Sequence, residues 1–219
     1  MSNFFNIDNG FFTALSKFCD VLFLSLIWVV FCIPIITIGP ANTALYYATV
    51  KVIRRERGYL FREFFKSFKL NFKRGAIIGV LLTIAFVILV VDLLAAGSTI
   101  KNSSTISSIL FGVYVAMAFF VLSISVYIFP VLSRFDMTIK QLIKAAAFMS
   151  IRHLPFTLIM VVVTAASIFG VLYIPILIVV VPAAGNFINS LLMERILKKY
   201  MPQNEESDDE NKKDEWYME

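Results

Sequence analysis

Apolar residues run along this chain in long unbroken blocks, and the polar residues between them are gathered rather than scattered. Positions 21–38 hold eighteen residues without a charge. As a helix that is about 27 Å, close to the roughly 30 Å hydrocarbon core of a bilayer. Blocks at 75–96 and 106–132 have the same character, interrupted only by Asp92 and joined by a polar turn at 97–104 that contains Lys101. From 154 to 193 forty residues pass without a charge. One helix of that length would measure about 60 Å, twice the bilayer core, so two short spans at about 155–172 and 175–195 fit better. They divide near Tyr173, Ile174 and Pro175. The pattern predicts an all-α integral membrane domain over 21–200 with five transmembrane helices. An interfacial lead-in at 1–20 precedes it, and a disordered acidic tail at 203–219 follows.

The stretch 33–75 departs from this pattern. It leaves an apolar run at Pro34, breaks at Thr37, Ile38, Gly39 and Pro40, and then turns basic. Nine of the chain's twenty Lys and Arg lie here. A second helix is predicted over 43–57 and a third over 59–73. In the latter, Phe61, Phe64, Phe65, Phe68 and Phe72 follow the i, i+3, i+4, i+7, i+11 spacing of one helix face. Lys66, Lys69 and Lys73 flank that face. Such a helix lies at a membrane surface, its rings among the lipid and its lysines meeting anionic headgroups; the same face could instead contact a partner. A similar basic, amphipathic segment is predicted over 134–152. At the start of the next span, Gly75 and Gly79 have the spacing that lets two helices approach closely.

Composition agrees. The chain is 59% hydrophobic and 16% charged, where globular domains carry about 25% charged residues. Residues 1–202 hold 18 basic against 7 acidic residues, a net of +11, and residues 203–219 a net of −6. No water-soluble basic module is present to carry a nucleic-acid reading. The basic clusters follow span one, separate spans three and four, and follow span five. The positive-inside bias therefore predicts an outside amino terminus and an inside carboxyl terminus, with Lys17 and Lys101 on the outer side. No secretory signal peptide is readable, so the first span would act as an uncleaved insertion signal.

Candidate chemistry is sparse. The two cysteines, Cys19 and Cys32, lie about 20 Å apart on one helix, beyond disulfide reach. One histidine, His153, leaves no Cys/His metal set. Asp92 and Asp20 read as interfacial. Asn42, Asn186 and Asn189 favour hydrogen bonds between helices over a substrate site. Glu194 reads as a surface pair with Arg195. With no nucleophile elbow, phosphate loop or carboxylate pair, neither an enzyme nor a cofactor is expected. Ile33, Pro34 and Ile35 are echoed by Ile174, Pro175 and Ile176, a similarity attributed to chance.

The residues Ile33, Pro34, Thr37, Gly39 and Pro40, then Asn42 and Ala44 through Tyr47, then Phe64 through Lys73, resemble the signature of the YesL family, domain of unknown function 624. Phe129-Pro130, Arg134-Phe135-Asp136 and Ile151 through Pro155 resemble its second block. The resemblance covers nearly everything before the tail and implies a multi-pass protein of the bacterial plasma membrane. It also implies a non-catalytic accessory or assembly partner of carbohydrate ABC importer subunits. The alternative is a small transporter or channel acting alone or as an oligomer.

Overall fold

The computed structural model describes residues 10–100 and 105–201, with side chains from 15 to 98 and from 108 to 201. Eight α-helices follow one another: α1 (Gly10–Cys32), α2 (Ile38–Ala48), α3 (Leu60–Leu70), α4 (Phe72–Ile100), α5 (Thr105–Arg134), α6 (Ile139–Arg152), α7 (Leu154–Tyr173) and α8 (Val181–Leu197). A 3-10 turn at Ile35–Thr37 leads into α2, and a π-helical segment at Thr49–Arg54 continues it. A second 3-10 segment, Pro175–Val179, precedes α8. No strand occurs among the described residues.

Among the described residues, four helical segments are long and apolar enough to cross a membrane: Leu15–Cys32, Phe72–Ser98, Ser108–Arg134 and Leu154–Tyr173. The break expected at Tyr173–Pro175 is present, but the span expected over 175–195 is not one apolar helix. Pro175 and Pro182 lack the amide hydrogens an α-helix needs, so the segment begins as 3-10 and turns α only at Val181. The polar turn expected at 97–104 is also shorter, because α4 continues through Gly97 and Ser98 to Ile100. From Gly10 the expected lead-in is the first part of α1. Residues 1–9, 101–104 and 202–219, the acidic tail among them, lie outside the described residues.

The fold is arranged around α2. Gly39 and Pro40 do not break the chain; they form the first turn of α2, where proline costs no hydrogen bond. All of α2 from Gly39 to Ala48 is buried except Asn42 and Tyr47. At its start, α2 crosses α4 backbone against backbone. A Cβ on Gly39 would sit 1.9 Å from the Gly75 carbonyl oxygen, and one on Gly79 would sit 2.6 Å from the Gly39 nitrogen. Gly75 and Gly79 therefore mark a real crossing, and its third member is Gly39.

From there α2 runs back along α1. Trp28 Nε1 donates to Asn42 Oδ1 at 3.0 Å, and at the other end Lys17 Nζ lies 2.7 Å from Glu56 Oε1. Lys17 is thus paired with an acidic residue of the basic stretch. The sequence predicts the helix over 43–57 as one of the interfacial helices between spans one and two. Its alanines and aliphatic residues instead let it fold back as a partner of α1.

Two apolar cores result. One joins α1, α2 and α3 through Leu24, Ile27, Ala44, Leu45, Phe64 and Phe68. The other joins α2, α4, α5, α6, α7 and α8 through Tyr46, Ile78, Tyr127, Leu142, Met160 and Met193. The phenylalanine face of α3 is divided between the interior and the surface. Phe64 and Phe68 are interior, their ring centroids 5.5 and 4.9 Å from that of Phe31. Phe65 is half-buried beside the same ring, while Phe61 and Phe72 remain exposed. Lys66, Lys69 and Lys73 are on the surface, with Lys69 Nζ 4.6 Å from the Phe65 ring centre.

Candidate functional site

Sequence reasoning took Glu194 for an exposed acid beside Arg195. The last turns of α8 instead carry it inside, where its side chain is 4% exposed. Tyr46 Oη donates to Glu194 Oε1 at 2.7 Å, and Arg134 Nη2 donates to the same oxygen at 2.5 Å. Arg55 Nη2 reaches the other oxygen at 3.4 Å. One carboxylate thus ties α2, the chain just after the π-helix, α5 and α8 together.

The π-helical segment makes this possible. Its wider turns include an Arg55 N–H to Val50 carbonyl bond at 3.2 Å, and they bring consecutive arginines to α8. Arg54 donates to the Ser190 carbonyl at 2.8 Å while Arg55 meets Glu194. Just beyond, Glu56 and Gly58 turn back with φ of 55° and 82°. A Cβ at Gly58 would also meet Glu63 Oε1 at 2.8 Å. That return lets Glu63 accept from Lys51 Nζ at 2.8 Å, a second buried ion pair.

Beside the carboxylate cluster lies a cavity of about 520 Å³. Its walls come from α1, α2, α4, α5, α7, the second 3-10 segment and α8, at residues that lie within the apolar spans of α1, α4, α5 and α7. Asn186, Asn189 and Met193 present one face of α8 to it, and Asn42, Leu45 and Tyr46 one face of α2. Tyr46 belongs to both features: its ring lines the cavity and its hydroxyl holds Glu194. No Asp, Glu, Lys, Arg or His is part of the lining.

The three asparagines divide two roles. Asn42 and Asn189 do bond between helices, to Trp28 and Thr164 respectively. Asn189 Oδ1 is nevertheless buried without a partner among the described residues, a state that costs on the order of 1–3 kcal/mol. The Asn186 side chain has no hydrogen-bond partner among the described residues. All three converge on one cavity, which their spacing of 144 and 3 residues does not reveal. Asp92 stays half-buried on α4, outside the lining. His153 caps α6, and its Nε2 lies 3.1 Å from Tyr200 Oη. Burial lowers its pKa below the ordinary value, helped by Lys199 and Arg152 nearby.

Comparison with known proteins adds a family and no activity. The family model described as "Protein of unknown function, DUF624" matches residues 21–93. Two uncharacterised proteins of Bacillus subtilis are similar over 175 residues, which is 76% of this chain and 77% of each of theirs: YteU at 26% identity and YesL at 25%. The chain is thus similar to DUF624 across a third of its length and to these two YesL-like proteins across about three quarters of it. No solved structure matches it. The DUF624 segment runs from α1 into the second half of α4. It therefore contains the Gly39–Gly75–Gly79 crossing, the Lys51–Glu63 pair and the α1, α2 and α4 walls of the cavity. Arg134 and Glu194 lie beyond it.

Proposed function

We propose that this DUF624 protein is a non-catalytic membrane protein that holds a small molecule in its cavity at the depth of the apolar spans. The cavity itself carries the reading: it is large enough for a drug-sized ligand and mostly apolar, with a few converging polar groups. The test is thermal unfolding of the purified protein with membrane extracts and small solutes. An occupant raises the midpoint by mass action, and Ser125→Phe, which fills the space, abolishes the rise. No stabilisation by any extract would sink the proposal.

Whether the occupant is only held or also carried across is the difference between a binding protein and a small transporter. Solute flux in liposomes decides that. An accessory role beside carbohydrate importer subunits is the other reading, supported by the family resemblance. The exposed apolar flank of α4 and α5, from Leu81 to Leu94 and from Ile109 to Phe120, offers surface for it. Importer subunits co-purifying from native membranes would favour that role.

For the arrangement in the membrane, we propose that the start of α1, the basic stretch, the α5–α6 connection and the end of α8 share the cytoplasmic face of a bacterial plasma membrane. The Lys17–Glu56 pair and the positive-inside bias support this.

A further inference from the structure

We propose that the cavity takes an uncharged amphipathic alcohol from the bilayer, a molecule with an apolar body and a hydroxyl-bearing head of the monoacylglycerol kind. The inference rests on the cavity reading above and adds the class of ligand. A charged ligand has no counter-charge in the lining. The neighbouring Glu194 carboxylate is already engaged at both oxygens, by Tyr46 and Arg134 at one and by Arg55 at the other. An ion brought here would lose its hydration with nothing in exchange.

The polar atoms of the wall define what the head must offer. Thr83 Oγ1 donates to the Gly79 carbonyl, Ser125 Oγ to the Val121 carbonyl and Ser167 Oγ to the Val163 carbonyl, at 2.8 to 2.9 Å. Their protons are spent on their own helices, so each hydroxyl turns lone pairs to the cavity and requires a donor. Asn42 is the reverse case. Trp28 occupies its Oδ1, which leaves its amide hydrogens to donate. Asn186, whose side-chain amide has no partner among the described residues, offers a donor and an acceptor together. A group that both donates and accepts, without charge, answers all of these, and the hydroxyl is the simplest.

The rest of the lining restricts the body. Leu122, Phe86, Phe129 and Ile168 offer no hydrogen bonds. A free sugar, polar around its whole rim, would press most of its hydroxyls against such walls unpaired. An acyl or prenyl chain would not. The cavity also sits among helices whose outer faces are apolar and exposed, so a ligand dissolved in the bilayer is the one with access.

The chain has two tryptophans, so Trp216→Phe leaves Trp28, on the cavity wall, as the reporter. The protein in phosphatidylcholine nanodiscs is titrated with dibrominated monoacylglycerol, dibrominated fatty acid at alkaline pH, or dibrominated phosphatidylcholine, and Trp28 quenching is read. Monoacylglycerol should quench saturably, at a mole fraction well below that needed for either charged or bulk lipid. Asn186→Ala should raise the half-saturation point about three- to ten-fold, the worth of one hydrogen bond, with no change in thermal midpoint because Asn186 has no partner to lose. Saturable quenching by the fatty acid at equal or lower mole fraction overturns the ligand class and leaves the cavity reading standing. Unsaturable quenching, equal for all three lipids, overturns both.

Discussion

Glu194 shows how much one buried carboxylate can do. It is held by a tyrosine and two arginines from three separate stretches of chain, and Arg134 opposite it is 1% exposed in its side chain. Neutralising one partner of such a pair leaves the other desolvated without its counter-charge. Glu194→Gln should therefore cost about 3–5 kcal/mol, read as a lower unfolding midpoint. Arg134→Met in the same chain should return part of the loss.

His153 is the chain's one histidine, so its ring can be followed directly by NMR. Its folded pKa lies below the ordinary value of about 6.5, because burial and then Lys199 and Arg152 disfavour the charged ring. The folded protein then binds fewer protons than the unfolded chain in the window below 6.5. Stability is complete above that pH and falls as pH drops toward the folded pKa. The ring should titrate below 6.5, and His153→Gln should flatten the fall. A midpoint above 6.5 would contradict the environment described. At this scale the sequence was least legible. Glu194 closes a forty-residue uncharged run, and Arg134 closes another. Two lone, opposite charges at the ends of such runs are a signal for pairing, but only the fold brings 134 and 194 together.

Among the elements, α2 decides most. Its contact with α4 admits no side chain at Gly39, Gly75 or Gly79. Gly39→Ala should lower the unfolding midpoint sharply or prevent accumulation of folded protein. Gly112→Ala, whose added methyl meets nothing within 4 Å, should leave the midpoint unchanged. Equal effects would mean the crossing is not what the glycines provide. The spacing of Gly75 and Gly79 was legible as half of a close contact. The other half hid in Gly39-Pro40, because a glycine–proline pair reads as a break whether it ends a helix or begins one. Periodicity found the phenylalanine face of α3 correctly, and what it could not supply was the neighbour. A face that suits lipid also suits Phe31, Leu24 and Ile27. The π-helical turns at Thr49–Arg54 leave no residue signature, since the extra residue per turn is set by what Arg54 and Arg55 must reach.

For the whole molecule, composition and block length were enough to name a helical membrane protein, and four apolar spans were readable because each is bounded by charge or proline. The path of the chain between spans one and two was not, since 38–54 is neither long nor apolar enough to announce itself. Its fold-back gives a clear expectation for labelling. In a background with Cys19 and Cys32 replaced by serine, Lys17→Cys and Lys66→Cys should both be shielded from an impermeant external reagent. Ser108→Cys, exposed near the start of α5, should be modified. Opposite labelling of positions 17 and 66 would undo the shared face.

The glycine crossing has a mechanical consequence. Where two backbones touch, no rotamer can change to let one helix slide past the other, so α2 and α4 behave as a single fixed jaw of the cavity. The opposite jaw, α7 and α8, is joined to itself at Gly185 and Ser167, where an added Cβ would lie 2.6 Å from the serine hydroxyl. The irregular chain at Pro175–Val179 connects those two helices and packs against α1. Entry of a ligand should then open one jaw against the other and deform neither. Spin labels at Ile36 and Leu81 should keep their separation when ligand is added, while labels at Leu81 and Leu158 should change theirs. Movement of the first pair would show that the jaw bends where its backbones meet.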